Sequence, residues 1–465
     1  MGVRGRHGCH SVLEQKIILK TEESVLNIKF IRENPETVKW ACKVKGVDDH
    51  VDDIIALDAR VRELKTITEA KTAAKNKISR EMPGAENKKE LIAESKKISD
   101  EIAVDAAELD AKEAVLRDLL LNVPQIPSKD APIGADDSGN IEIRRVGEPR
   151  KFDFEPRGQC DLMDGNNWWD AAKIGEICGS RTYNLRGELA ELDLAVQTYV
   201  LQKLIKKGFA YMQVPAITKP QAVFDAGHFR GSDISVMKGD VFMLEGTDRC
   251  LAGTCEIVLN SIHQNEILDE SALPVLYAGY SPCFRKEAGS AGRDTRGLIR
   301  VHQFHKVEQY AYCRPEQQEE MFGFLLGNAC EVMDDFELPY RILEACTGDM
   351  GFNKIKMQDV EAWVPSENKY RELGSCSMIG DFQARRTNTR YRAADGTVRF
   401  CATLNNTGIA LPRVLVPLME NHQNQDGSVN IPAALRPLMG GRAKIGGAFF
   451  DKWQNMEYNR PIKAA

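Results

Sequence analysis

Apolar residues recur through residues 51–121 at intervals that alternate about a heptad. Ile54, Leu57, Val61, Leu64 and Ile78, with Ala70 and Ala74 between them, lead to a break at Pro83 and Gly84. Leu91, Ile98, Ile102, Leu109, Leu116 and Leu119 then resume the pattern. The period predicts two helices folded back on each other as an antiparallel coiled coil that turns at Pro83–Glu86. With roughly 30 residues per helix and a rise of about 1.5 Å each, such an arm reaches about 45 Å. Further along, Leu189, Leu192, Val196, Tyr199, Val200 and Leu204 mark a helix that stops at Gly208, ahead of the strand-like YMQVPAI. Residues 280–310, YSPCFRKEAGSAGRDTRGLIRVHQFHKVEQY, set two strand-like segments around a loop in which Gly289, Gly292 and Gly297 alternate with Arg293, Asp294, Arg296 and Arg300. They predict an antiparallel hairpin with a long basic loop. VEAWVP (360–365) alternates as a strand does, and LNNTGIALPRVLVPLMENHQ (404–423) reads as a strand running into a helix. Residues 1–25 show no apolar period, and residues 122–150, rich in Pro, Gly and Asp, predict a linker.

Length and charge narrow this picture. A chain of 465 residues holds two or three domains and can bury a large core. No run of about 18 apolar residues occurs, so no membrane span is expected. The formal charge of −6 argues against a protein that coats nucleic acid by bulk charge, but leaves room for a local basic patch. The arm has one. Residues 71–97 hold eight cations (Lys71, Lys75, Lys77, Arg80, Lys88, Lys89, Lys96, Lys97) against four acids, whereas residues 98–121 hold two cations against seven acids. Cations gathered in the distal half suggest a phosphate-backbone contact there. Twelve cysteines without any C-x-x-C pair, several of them in apolar strand-like contexts, suggest reduced thiols of a cytosolic protein. His7, Cys9 and His10 lie in a terminal stretch and do not amount to a metal site. The first ten residues are basic, as a transit peptide begins, but Glu14, Glu22 and Glu23 have the wrong sign, so the cytoplasm is expected rather than an organellar matrix.

The candidate chemistry centres on the hairpin. Alternation puts Arg285 and Glu287 on one face, and Phe304 and Glu308 share a face of the second strand. Together they offer a guanidinium for a phosphate or carboxylate, an aromatic plane for a base and two carboxylates for amino groups. FRxE ahead of such a loop resembles motif 2 of the class II aminoacyl-tRNA synthetases, and GRDTRGLIRVHQF resembles the seryl-tRNA synthetases in particular. Other stretches match the same family in order and spacing. They are Gly253-Thr254-Cys255-Glu256, Thr347-Gly348-Asp349-Met350-Gly351, Arg371-Glu372-Leu373-Gly374-Ser375 and a motif 3 with Arg413 at a strand–helix junction. The helix from Leu189 to Gly208 and the strand running to Pro215 resemble motif 1, which in the family forms the homodimer interface. The resemblance spans residues 26–465, and VLNIKFIRENPETVK from Val25 looks like the place where bacterial members begin.

The resemblance implies an α+β fold, the class II antiparallel sheet flanked by helices and preceded by the coiled-coil arm. It divides the chain into an extension (1–25), a tRNA-binding arm (26–121), a linker (122–150) and a catalytic domain (151–465). It implies ATP-dependent attachment of L-serine to serine tRNA through a seryl-adenylate, by a homodimer, with selenocysteine tRNA as a further acceptor. Arg285 would bridge the serine carboxylate and the α-phosphate, and Arg413 would hold the γ-phosphate. Phe304 would stack on adenine, with Lys286, Glu287, Val301, Leu373 and Gly374 around the nucleotide, and Glu372 and Ser375 would coordinate Mg2+. Serine would be held by Thr254, Cys255, Glu256, Glu308 and Thr407, and the tRNA by Lys75, Lys77, Lys88 and Lys89. Cys255, His305 and Pro412 depart from the usual Ala, Asp and Gly. Two other readings share parts of this pattern: an enzyme charging a carrier protein, which the intact arm counts against, and a non-catalytic RNA-binding relative, which the complete set of ATP contacts counts against.

Overall fold

The computed structural model describes residues 26–231, 234–288 and 294–447. The extension 1–25 and the loop residues Gly289, Gly292 and Arg293 lie outside them. Two short helices, α1 (Ile28–Glu33) and α2 (Pro35–Val44), precede the long α3 (Val51–Glu81) and α4 (Lys88–Asn122), which pack against each other as a helical hairpin. The turn falls at Met82–Gly84, where Pro83 cannot continue the backbone ladder of α3.

At its base the hairpin is apolar. Ile31, Val38, Val51, Ile54, Val61, Leu116 and Leu120 form one buried cluster with Ile379 and Phe382 of the main body. Further out, Ile92 and Val104 are exposed, and charge pairs cross between the helices: Arg60–Glu108 at 2.9 Å, Lys65–Glu113 at 2.7 Å and Lys71–Asp105 at 2.7 Å. Lys71 is thus already matched by acids of α4. Lys75, Lys77, Lys88 and Lys89 make no ion pair among the described residues. A second tie joins arm to body. Lys45, only 8% exposed, donates from Nζ to the carbonyls of Gly351 (3.1 Å), Phe352 (3.4 Å) and Lys354.

The body is built on one eight-stranded sheet. Its strands are β1 (Ile141–Val146), β2 (Ala210–Gln213), β3 (Val275–Phe284), β4 (Gln303–Cys313), β5 (Tyr340–Glu344), β6 (Lys356–Val364), β7 (Lys369–Gly380) and β8 (Ala402–Leu411). Their spatial order is β1-β5-β6-β7-β8-β4-β3-β2, antiparallel throughout except for the parallel β2–β3 pair. The segment read as a linker, 122–150, therefore contributes an edge strand, and its earlier part is bonded to the body by Gln125 N to Phe352 O (2.8 Å) and Thr347 N to Pro132 O (2.9 Å). β1 does alternate over Ile141-Glu142-Ile143-Arg144, but so few residues beside a stretch rich in Pro, Gly and Asp make a period too short to stand out, and with nearly every residue exposed no core face marks it.

One face of the sheet is covered by α5 (Gly187–Lys206) and a helix over Gln318–Asp335. Leu192, Val196, Val200, Leu325 and Ala329 pack there on Val307, Ala311, Cys376 and Leu404. Alternation then turns the even-numbered residues of β4 to the other face. Tyr310 and Tyr312 enter a second cluster with Cys255 and Leu259, while Phe304 and Lys306 border a cavity.

Candidate active site

The predicted hairpin is β3–loop–β4, with Phe284 opposite Gln303. β3 ends at Phe284, one residue before Arg285, and Glu287 adopts a left-handed backbone (φ 54°), so the pair is not carried by strand alternation as expected. The turn nevertheless brings both side chains to the border of two adjoining cavities, together with Arg300.

The first cavity is lined by Val301, Phe304, Lys306, Glu372, Leu373, Gly374, Thr407 and Arg413 among others. Arg413 follows β8 and precedes the helix Leu415–His422, where its Nε donates to Ile299 O (3.0 Å) and its Nη1 to Glu372 O (3.1 Å). Burial pulls its guanidinium below the usual range. The Arg285 guanidinium lies 5.2 Å from the centroid of Phe304, a cation–π contact over one ring face. A base stacking on Phe304 uses the other face or displaces Arg285. Gly374 has no room for a side chain: a Cβ there would meet Thr407 Cβ at 2.7 Å.

Ser375 turns its hydroxyl to Asp359, its partner across the β6–β7 ladder. Burial, then the charge of Glu372, pushes the Asp359 carboxyl up to about 7. The sequence offered no sign of Asp359, whose place depends on the register between two strands.

The second cavity, about 480 Å³, is lined by His228, Asp240, Gly253, Thr254, Arg285 and Glu287 among others. Arg285 Nε donates to Gly253 O at 3.2 Å, and Thr254 Oγ1 accepts from Glu256 N at 3.2 Å. Glu256 opens a short helix (Glu256–Ser261), and its Oε1 accepts from Gln383 Nε2 (2.8 Å) and Asn405 Nδ2 (2.7 Å). Its Oε2 faces His228 Nε2 at 3.7 Å.

Glu256 and Ser375 are among the residues behind the cavity walls, held there by the hydrogen bonds to Gln383, Asn405 and Asp359, and three further candidates are not where the sequence reading put them. Cys255 is buried on the far side of the Thr254–Glu256 turn, its Sγ 3.7 Å from Gly279 O and 3.8 Å from Lys306 O, so it borders neither cavity. Adjacent residues of a turn cannot all face one way, and the larger sulfur occupies the sheet side. Lys286 lies over Phe242, 5.8 Å from its centroid, and borders neither cavity. Glu308 is 1% exposed and is covered by the Lys306 ammonium, two residues away on the same face. Burial raises the Glu308 carboxyl. For Lys306 burial is the largest influence and opposes the charge, but Glu308, Cys255, Cys283 and Glu256 together outweigh it and raise the ammonium. Lys306 was legible from the parity of β4; His228, Gln383 and Asn405 come from separate segments without a period that would mark them.

Arg285 thus lies between two cavities in a strand–loop–strand, on a mainly antiparallel sheet closed by a strand–helix junction bearing Arg413, and the class II aminoacyl-tRNA synthetases are the class of protein that the comparisons join to this arrangement. The family profile described as tRNA synthetase class II core domain (G, H, P, S and T) matches residues 243–422, and that described as Seryl-tRNA synthetase N-terminal domain matches residues 25–127. The serine–tRNA ligase of Deinococcus radiodurans is 46% identical over 91% of this chain and 99% of its own length, and that of Symbiobacterium thermophilum is 42% identical over 89% and 98%. Seryl-tRNA synthetase from Pyrococcus horikoshii, solved in complex with ATP, superposes with a TM-score of 0.85 at 36% identity, covering 91% of this chain and 99% of that one. The chain belongs to the seryl-tRNA synthetase family.

Proposed function

We propose that this chain is a serine–tRNA ligase that condenses L-serine with ATP to seryl-adenylate and passes the seryl group to serine tRNA. The observation that carries the reading is that Arg285 borders both cavities, the one containing Phe304 and Arg413 and the one containing Thr254. Activation is an in-line attack of a carboxylate on the α-phosphate, and the protein's task is to position the two anions and offset the charge that grows between them. A guanidinium between the two sites can contact both reactants and add stabilisation as the bond forms.

Val301, Phe304, Leu373 and Gly374 take the nucleotide, Glu287 the exocyclic amine and Arg413 the γ-phosphate. Serine lies towards Thr254 and Glu256, with Thr407 as partner of its hydroxyl and the Lys306–Glu308 pair beneath. A pocket that pairs with this hydroxyl rejects alanine by leaving polar groups unmatched, whereas threonine is refused by lack of room. Glu372 and Ser375, backed by Asp359, form an oxygen donor set that suits a hard cation. Mg2+ there would shield the phosphates of ATP.

For partners, the unpaired Lys75, Lys77, Lys88 and Lys89 support a tRNA-backbone contact at the far end of a coiled-coil arm. Leu194, Ile205 and Tyr211, exposed on α5 and β2, support a homodimer formed through that edge. Scattered cysteines without C-x-x-C spacing support a cytoplasmic site of action. Among the described residues no helix is long and apolar enough to cross a membrane.

Serine-dependent exchange of pyrophosphate into ATP, followed by charging of total tRNA, tests the whole reading, with selenocysteine tRNA as a separate acceptor. Exchange that responds to another amino acid in preference to serine overturns it.

A further inference from the structure

The Glu256 carboxylate is used unevenly. Gln383 and Asn405 both donate to Oε1, and their own positions are held by the body: Gln383 Nε2 also donates to Ala226 O (3.0 Å), and its Oε1 accepts from Thr403 and Tyr310. Oε2 takes no hydrogen bond from the described residues. What faces it is the imidazole of His228, whose Nε2 stands 3.7 Å away, beyond hydrogen-bond reach. His228 borders the same cavity as Thr254 and Arg285, and its side chain keeps 34% exposure there.

The loop that presents His228 is held in place. Gly227 has φ 82°, and a Cβ on it would strike the Phe382 ring at 2.6 Å and Asn353 at 2.7 Å, while Asn353 Nδ2 donates to Ala226 O at 3.3 Å. His228 therefore follows two residues that Phe382 and Asn353 hold against the body.

We propose that His228 is a substrate-binding residue whose Nε2 accepts a hydrogen bond from the ammonium of serine, so that the ammonium bridges His228 and Glu256 Oε2. This rests on the reading that Thr254 and Glu256 hold the amino acid. Two acceptors 3.7 Å apart can both lie about 2.9 Å from one nitrogen, at an angle of about 80°, and an opening of the pair by about 1 Å brings the angle to tetrahedral. An acceptor role requires a neutral ring. Partial burial, then the positive charges of Arg285, Lys306 and Lys354, draws the imidazole below its usual range, while the 34% exposure of the side chain and the nearby Glu256 carboxylate act in the opposite sense. Two acceptors facing the amino group favour an α-ammonium, which has three hydrogens to donate, over an α-hydroxyl, which has one.

The test is pyrophosphate exchange with the full-length chain bearing His228→Leu, His228→Gln or Glu256→Gln. His228→Leu is expected to raise the KM for serine about tenfold, equivalent to about 1.4 kcal/mol, with the KM for ATP changed less than twofold. His228→Gln, which keeps an acceptor oxygen, is expected to restore most of the loss. If Glu256→Gln raises the serine KM and His228→Leu does not, the inference fails while the pocket assignment stands. If neither raises it, the pocket assignment fails and takes the inference with it. A lowered KM in His228→Leu overturns the inference as well, because it would reveal a cationic ring paired with Glu256 that serine must displace. Should His228→Leu not fold, serine-dependent thermal stabilisation of His228→Gln against His228→Lys decides: equal stabilisation by serine in both is the refuting result.

Discussion

Gly374→Ala is the sharpest test of how the two central strands shape the serine pocket. Gly374 on β7 lies against Thr407 on β8, and a methyl group added to it would sit 2.7 Å from Thr407 Cβ, 3.1 Å from its Cγ2 and 3.4 Å from its carbonyl oxygen. Carbon atoms rest at about 3.5–4.0 Å, so close to 1 Å of separation has to be found. It cannot come cheaply, because β7 and β8 are each bonded on both sides within the sheet. Overpacking of this kind costs about 1–3 kcal/mol, and since an unfolding entropy of about 2 cal/mol/K per residue gives a chain of 465 residues a shift of about 1 °C per kcal/mol, the melting temperature should fall by about 1–3 °C. Because the neighbour that must yield is the proposed hydroxyl partner, the KM for serine should rise several-fold. Thr407→Gly in the same chain removes the clashing Cβ. The double variant should be more stable than the two single effects predict, by at least about 1 kcal/mol, yet should not regain affinity for serine. Thermal melts and serine titrations in pyrophosphate exchange measure both. An unchanged melting temperature and KM in Gly374→Ala, or strict additivity in the double variant, would refute the reasoning.

Arg285→Ala should lower the exchange rate by about 10²–10³-fold, the cost typical of removing one preorganised donor from a site of developing negative charge; a rate within tenfold of the parent would remove its assigned role. Replacing residues 65–108 by a short turn should spare exchange, since the proposed ATP and serine contacts lie beyond residue 227, and should abolish tRNA charging. Undiminished charging by the armless chain would sink the arm's role. Neutralising Lys75, Lys77, Lys88 and Lys89 together should weaken tRNA binding and flatten its salt dependence, as read from affinities at several salt concentrations; an unchanged slope would place the contact elsewhere. Burial, then the charge of Lys354, draws Lys45 down to about 7 from its ordinary value of 10.5. Between those values the folded chain binds fewer protons than the unfolded one, so stability contributed at Lys45 rises with pH there and is least below pH 7. Melts of the parent against Lys45→Met should diverge in the parent's favour from pH 7 to 9, by roughly 1 kcal/mol per pH unit at most; a flat difference would show that the three carbonyls keep the ammonium charged throughout.

The helical hairpin, the helix over 187–206 and the β3–β4 pair were legible in the sequence because each carries a local period. Heptad spacing places Leu64 and Leu116 on inward faces, and alternation in β4 places Phe304, Lys306 and Glu308 together whatever else the chain does. Motif residues such as Arg285, Glu372 and Arg413 were legible for a different reason, since backbone and side chain together make a recognisable stretch. The alternation of β1 runs over only four residues, Ile141 to Arg144, beside Pro-, Gly- and Asp-rich sequence, so β1 was read as linker. Period says nothing about which way a turn residue points, so Cys255 was assigned to the pocket when the sheet has claimed its sulfur. Most of the groups that tune the site were decided by tertiary structure alone. Asp359 reaches Ser375 through the register of β6 with β7, and Glu256 meets His228, Gln383 and Asn405 from three separate segments. Those contacts join residues up to 149 positions apart, where only the packed sheet and the loops closing over it determine which side chains meet.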